Sequence, residues 1–221
     1  MRAILTVLAA LALGACNDVY SRTPLVAEAF QRGDPQLREG LWLLGGDVAP
    51  DCPFDIRKPV ARWPECAVAF EYQQPGQFWM VSKRERRLAF TVRLVSGDPV
   101  LAQIHWSLDA LKDPRVPEPP NADNPFFGWM YDGLTVTRTD AGDRITEARM
   151  VAAQCGPLPS KSTPPTGGGL PPAAVTDRPF PGLKVVGANC VAEDLDTVTA
   201  AITQSAALGA PSTIRWVRDR P

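Results

Sequence analysis

The single histidine of this chain, His105, is the first residue to examine for chemistry, because imidazole most often transfers protons near neutral pH. A Ser/His/Asp or Cys/His nucleophile system would need it, yet no G-x-S-x-G motif accompanies it. It lies in an alternating segment, on the face that carries Gln103 and Ser107, opposite the more apolar face with Ile104 and Trp106. We interpret His105 as an ordinary residue on the less buried face of a strand.

Paired carboxylates could also perform acid–base work, as Asp109 could with Asp113 or Asp123, but nothing in their spacing selects a pair. The run Gly167-Gly168-Gly169 follows prolines and does not join a strand to a helix, so it does not indicate a phosphate-binding loop. The sequence therefore assigns no catalytic residue, no cofactor and no enzymatic activity.

The N-terminus carries a clearer signal, in which Arg2 precedes an apolar stretch that ends in Leu13-Gly14-Ala15-Cys16. This run resembles the lipobox of bacterial lipoproteins. The resemblance implies that residues 1–15 are a signal peptide and that Cys16 becomes a lipidated first residue, which attaches the chain to a membrane. We expect a location in the bacterial cell envelope, facing the periplasm or the exterior, and a tether over residues 16–37.

Composition limits the remaining chain to one globular domain, residues 38–221. Its 45% hydrophobic content is enough for a packed core. The formal net charge of −1 becomes −2 once Arg2 is removed with the signal peptide, so no overall positive field favours nucleic acid. We expect a membrane, and an envelope protein or polysaccharide, as partners.

Four of the five cysteines remain after Cys16 is set aside, an even number in a chain predicted to enter an oxidising compartment. Three pairings are open; we favour Cys52 with Cys66 and Cys155 with Cys190, because each bond then closes a proline-rich loop. The spacing lacks the close cysteine pairs of a zinc site, and a single histidine adds little, so no metal site is predicted.

Alternation and turn signals predict an antiparallel meander. Leu88, Phe90, Val92 and Leu94 alternate with more polar positions, which indicates a strand with one buried face. The predicted strands cover residues 38–45, 66–73, 77–82, 87–95, 100–107, 127–139 and 143–154.

The C-terminal region is predicted to contain a helix over residues 193–208 and a last strand over residues 213–218. Two proline-rich excursions, residues 109–125 and 156–182, interrupt the pattern. The expected fold is α+β: mainly an antiparallel meander with a C-terminal helix packed on it, long proline-rich loops and two disulfides.

Two surface features could bind a partner. The basic run Lys83-Arg84-Glu85-Arg86-Arg87 could contact anionic headgroups or polysaccharide phosphates, but we favour a solvated turn, because charged residues ordinarily occupy such turns. Tryptophans on predicted strands could stack on sugars, but most strand tryptophans belong to the core, and we expect at least half of these to be buried: Trp42, Trp79, Trp106, Trp129 and Trp216.

Gly40-Leu41-Trp42, at the start of the first strand, resembles the G-x-W of lipocalin-type barrels, which implies an up-and-down barrel around a small hydrophobic ligand. Two function hypotheses follow. The first is a non-catalytic binding or scaffold module of the envelope, with an unknown ligand site; the alternative is a lipocalin-like carrier.

Overall fold

A computed structural model describes residues 17–27, 29–44, 52, 54–107, 128–158, 175–209 and 211–219. They form eleven strands, one α-helix and a 3₁₀ turn at Val60–Arg62. In chain order these are β1 (Val19–Ser21), β2 (Gly40–Leu44), β3 (Val68–Gln73), β4 (Gln77–Ser82), β5 (Arg86–Val95), β6 (Val100–Trp106), β7 (Trp129–Thr139), β8 (Ile145–Ala152), β9 (Lys184–Val186), β10 (Asn189–Val191), α1 (Leu195–Ser205) and β11 (Ser212–Arg218).

Eight of these strands close into an antiparallel barrel. From β2 to β8 each strand pairs with the next along the chain, and β11 pairs with both β8 and β2. The circle has no open edge, and every ladder in it is antiparallel. Closure satisfies the backbone groups that an open sheet would leave at its edges.

Side-chain alternation divides each barrel strand between the interior and the outer wall. In β5, Phe90, Val92 and Leu94 pack into the interior cluster, whereas Thr91 and Arg93 lie on the wall. This pattern agrees with the predicted period of two from Phe90 to Leu94. The prediction for Leu88 is wrong, because a bulge between the pairs of Phe78 and Trp79 places Leu88 opposite Trp79 and brings Ala89 into the interior cluster.

The two ends of the barrel differ. At the end we call the base, β3 turns into β4 and β5 into β6, and buried Leu37 packs against the interior cluster. Leu37 is positioned by the neighbouring backbone, since Arg38 N–H donates to the Ile145 carbonyl and Ile145 N–H to the Gln36 carbonyl. At the opposite end, the mouth, β2 and β6 end and β7 begins.

Residues 22–36, which we call the strap, cross the outer wall of β5 to β7. The Val26 N–H donates to Gln103 Oε1 at 2.9 Å, and Gln103 Nε2 donates back to the Val26 carbonyl at 3.1 Å. Arg93, 6% exposed, pairs with Asp34 and lies over the Phe30 ring. The wall beneath the strap is therefore buried.

The segment expected to be a tether contributes to the fold. Strand β1 pairs with β7 and β10, and Val19 and Tyr20 are 1% and 0% exposed. The sequence does not predict this strand, because three residues are too few to show an alternation of buried and exposed side chains. Cys16 and the predicted signal peptide lie outside the described residues.

The expectation of two disulfides is confirmed, and the bonds join Cys52 to Cys66 and Cys155 to Cys190. Helix α1 begins after Asp194, whose carboxylate accepts the Thr197 N–H, and packs Val198 and Ile202 into a second cluster on the wall. It is shorter than the predicted helix at both ends.

The described fold is mainly antiparallel β with one helix, as expected. The structure does not describe residues 108–127 or 159–174. The proline-rich excursion over residues 109–125 and most of the one over residues 156–182 therefore lie outside the described residues. Within the described part of the chain, no helix is both long and apolar enough to cross a membrane.

Candidate functional site: the mouth of the barrel

The interior of the barrel is more accessible at the mouth than at the base. Near the base, Tyr72, Phe78, Leu94 and Leu134 are all buried. Towards the mouth, apolar interior side chains from five strands remain half-buried: Leu44, Phe70, Met80, Ile104, Trp106 and Met150. Trp216, which is half-buried near the base, is covered by the Arg38 guanidinium at 3.7 Å. The interior side chains at the mouth are thus apolar and partly exposed; at the base, Val100 is half-buried as well.

Aromatic rings fill the interior between these mouth side chains and the base. Phe78 stacks on Phe90 with centroids 4.8 Å apart, Tyr72 lies 5.1 Å from Phe78, and Trp106 lies 5.2 Å from Phe90. Trp42 is 0% exposed and donates its indole N–H to the Arg38 carbonyl. These contacts leave the mouth as the accessible part of the interior.

Two carboxylates lie on the inner face at this end. Asp132 is the cross-strand partner of Ala102, a member of the interior cluster, so its side chain lies on the interior side of β7. Asp18 lies two residues before Tyr20, the partner of Met130, which places it on the same face. Each is 8% exposed.

Burial controls the protonation of both groups. It raises the pKa of Asp132 to about 7, and together with the nearby Asp132 charge it raises the pKa of Asp18 to about 8. No hydrogen bond or ion pair to either carboxylate is found among the described residues. At neutral pH the pair is therefore partly protonated.

A second concave surface, the wall groove, lies outside the barrel between the strap and β5 to β7. Its volume is about 560 Å³. His105 lies in it, stacked on Trp129 at 4.9 Å, next to Phe30 and Thr91. The polar groups of Gln103 and Arg93 in this groove already bind the strap.

The structure distributes the sequence-predicted residues widely. His105 is on the outer wall, as expected, but this face is more buried than expected, because Leu101 and Gln103 are 7% and 3% exposed beneath the strap and α1. Asp109, Asp113, Asp123 and Gly167-Gly168-Gly169 lie outside the described residues.

The basic run is largely neutralised. Arg84 pairs with Glu65, Arg86 with Glu71 at 2.8 Å, and Arg87 with Glu85 at 3.6 Å. A run of cations with carboxylate neighbours is a weaker anion-binding surface than its sequence suggests.

The tryptophans are less buried than predicted. Of the five on strands, Trp42 alone is fully buried, and the others are half-buried: Trp79, Trp106, Trp129 and Trp216. Trp106 contributes to the mouth and Trp129 to the wall groove.

Sequence reasoning missed Asp18 and Asp132 as candidate site residues. For Asp132 a signal exists in the sequence. In a predicted strand, alternate residues face the same side, so Asp132 lies on the same face as the apolar residues Met130 and Leu134 and is a charged residue at a position expected to face inward. Asp18 carries no such signal, because its burial depends on pairing with residues more than one hundred positions away.

The comparisons give no relative from which roles could be transferred: no family model, curated protein or solved structure matches the chain. Over the part of the chain that the structure describes, no group of three or more His, Cys, Asp or Glu side chains is placed to hold a metal ion. The candidate site rests on its geometry alone.

Proposed function

We propose that this protein is a non-catalytic binding module of the bacterial cell envelope that takes an apolar small molecule, or an apolar group of an envelope component, into the mouth of its barrel. The observation that carries the proposal is the set of half-buried apolar side chains from five strands at the mouth, whereas at the base Val100 and Trp216 are the half-buried members of the interior among the described residues. This combines the two hypotheses that the sequence leaves open.

The size of the barrel limits the ligand. An eight-stranded barrel is just wide enough for side chains to fill it or for one small ligand to enter. Here the rings of Phe78 and Phe90 occupy the deeper interior. A ligand would bury its apolar part against Ile104, Trp106 and Met150, and each Å² removed from water would contribute about 25 cal/mol.

Titration with N-phenyl-1-naphthylamine, a neutral apolar fluorophore, tests this site. Ile104→Trp fills the mouth from the inner face of β6 and should weaken probe binding by about tenfold or more. Thr91→Trp is the matched control, because Thr91 is exposed on the outer wall and lines the wall groove. It should leave binding unchanged.

The reverse result, in which Thr91→Trp abolishes binding and Ile104→Trp does not, would move the site to the wall groove and refute the proposal. Circular dichroism checks that each variant is folded. Met150→Trp, on the inner face of β8, provides a second mouth-filling variant should Ile104→Trp unfold.

We also propose that a lipid on Cys16 holds the module at the membrane, on the basis of the lipobox resemblance. Cys16→Ala should block signal cleavage at that position and shift the protein out of the membrane fraction. A variant that still sediments with membranes after a high-salt wash would refute the assignment.

A further inference from the structure

The carboxylates of Asp18 and Asp132 distinguish this mouth from a purely apolar pocket. They come from β7 and from the residue preceding β1, and both lie on the face that carries Tyr20 and Met130. Each of these two residues is only 8% exposed to solvent. Buried carboxylates are uncommon, and in folded proteins they are normally paired with a cation or hydrogen-bonded.

The described residues supply no such partner. Neither carboxylate makes an ion pair or accepts a hydrogen bond within the described ranges, and the charge that affects the pKa of Asp18 is that of Asp132, which raises it. Arg87, a cation on β5 opposite Met80, is paired with Glu85 at 3.6 Å. Arg87 therefore shares the inner face with the two acidic groups, but among the described residues no cation pairs with either aspartate.

We propose that the ligand of the mouth is a cationic amphiphile, an organic ammonium whose charged group binds between Asp18 and Asp132 while its apolar body lies against Trp106 and Ile104. This inference rests on the apolar site proposed above. A metal ion fits less well, because two carboxylates provide too few ligands for calcium or magnesium, and no third acidic, histidine or cysteine ligand completes such a group among the described residues.

An ammonium suits the pair for two physical reasons. It is a compact donor of up to three hydrogen bonds, enough to satisfy oxygens of both carboxylates. Charge-assisted hydrogen bonds of this kind are about twice as strong as neutral ones, and a water-poor site strengthens them further. The surrounding apolar side chains would favour an attached hydrocarbon over free ammonium.

Competition between two probes of the same chain length tests the inference. Decylamine and 1-decanol are each titrated against bound N-phenyl-1-naphthylamine at about pH 8.5, where the amine is protonated. Decylamine should displace the fluorophore at a concentration lower than that of decanol by about tenfold or more. In Asp132→Asn and in Asp18→Asn this preference should fall towards unity, with displacement by decanol unchanged.

Glu147→Gln is the matched control. Glu147 is a carboxylate on β8 that accepts a hydrogen bond from Thr137 on the outer wall, so its removal changes the net charge equally without altering the mouth. It should keep the full preference for the amine. Loss of the preference in this variant would show that overall charge, and not the pair, attracts decylamine, and would overturn the inference.

The outcomes separate the two proposals. If the fluorophore binds and decanol competes as well as decylamine, the apolar site stands, and the carboxylates are simply neutralised by protons. If the fluorophore does not bind folded protein at all, the apolar site itself is wrong, and the amine proposal fails with it. An inorganic cation in place of an amine would appear as equal competition by sodium or calcium chloride.

Discussion

Gly40 lies directly against Arg218 at the seam where β2 meets β11. Its φ is +129°, and a Cβ at this position would overlap the Arg218 carbonyl oxygen and lie 2.7 Å from Trp216 Nε1. The register of the seam shifts at the same point, between Trp216 and Arg218. The first residue of the G-x-W run is thus required where the last strand closes the barrel.

Gly40→Ala should therefore destabilise the fold by more than about 1 kcal/mol, because it combines an unfavourable φ with overlap against backbone. Urea unfolding measures the change. Gly187→Ala is the matched control: Gly187 also has a positive φ, +60°, but a Cβ there would have no neighbour within 4 Å. Equal losses in the two variants would show that the seam contact is unimportant.

Stability should fall as the pH rises through the range in which Asp18 and Asp132 ionise. An unfolded aspartate has a pKa of about 3.9, whereas the folded values are about 8 and about 7, so the folded state binds more protons between these limits. The free energy of unfolding should decrease from about pH 4 to pH 8, by at most about 1.4 kcal/mol per pH unit for each group.

Asp132→Asn should flatten this decrease. The variant and the natural chain should be similar in stability near pH 4, and the variant should be the more stable at pH 8. Urea midpoints at four pH values measure the difference. Parallel profiles would contradict the burial of an ionisable group at residue 132.

The strap should depend on Arg93. Its guanidinium contacts Asp34 and donates to the Ala27 carbonyl at 3.3 Å, and removal of one partner of a buried ion pair leaves the other uncompensated. Arg93→Met keeps the apolar stem and should make residues 22–36 more sensitive to protease by about tenfold or more. Limited proteolysis read by mass spectrometry measures the effect. Asp34→Asn keeps the shape of its side chain and should have a smaller effect; unchanged cleavage in both variants would contradict this role.

His105→Ala should leave probe binding unchanged and lower stability by no more than about 1.5 kcal/mol. The substitution removes a stack on Trp129, worth about 0.5–1.5 kcal/mol for aromatic pairs in general, from the outer wall and not from the mouth. Loss of N-phenyl-1-naphthylamine binding in a folded variant would place His105 in the site. A complete loss of the cellular phenotype would instead indicate chemistry at the imidazole.

Local sequence patterns predict the strands well where a long segment alternates. β5 and β6 are clear in the sequence because inward apolar residues recur every second position from Phe90 to Leu94 and from Val100 to Trp106. The helix is also predictable, from the spacing of Leu195, Val198 and Ile202. Its predicted ends, Glu193 and Leu208, lie outside it, because Asp194 caps its start and the α-helix ends at Ser205.

Closure of the barrel and the composition of the mouth are less accessible to such reasoning. The pairing of β6 with β7 joins strands on either side of residues 108–127, which lie outside the described residues, and the pairing of β11 with β2 joins residues far apart in the chain. The G-x-W resemblance does point to a barrel. No local pattern, however, predicts that Asp18 reaches the inner face, because three buried residues of β1 provide too short a period to recognise.

The position of β11 has a consequence for biosynthesis. During synthesis from the N-terminus, β2 and β8 are complete before β11 emerges, so both carry a row of unpaired backbone donors and acceptors until β11 arrives. A nascent or truncated chain that ends before Ser212 would expose the unpaired edges of β2 and β8, which could pair with strands of other chains. We expect such forms to aggregate or to need a chaperone, whereas a chain that includes β11 closes these edges within itself.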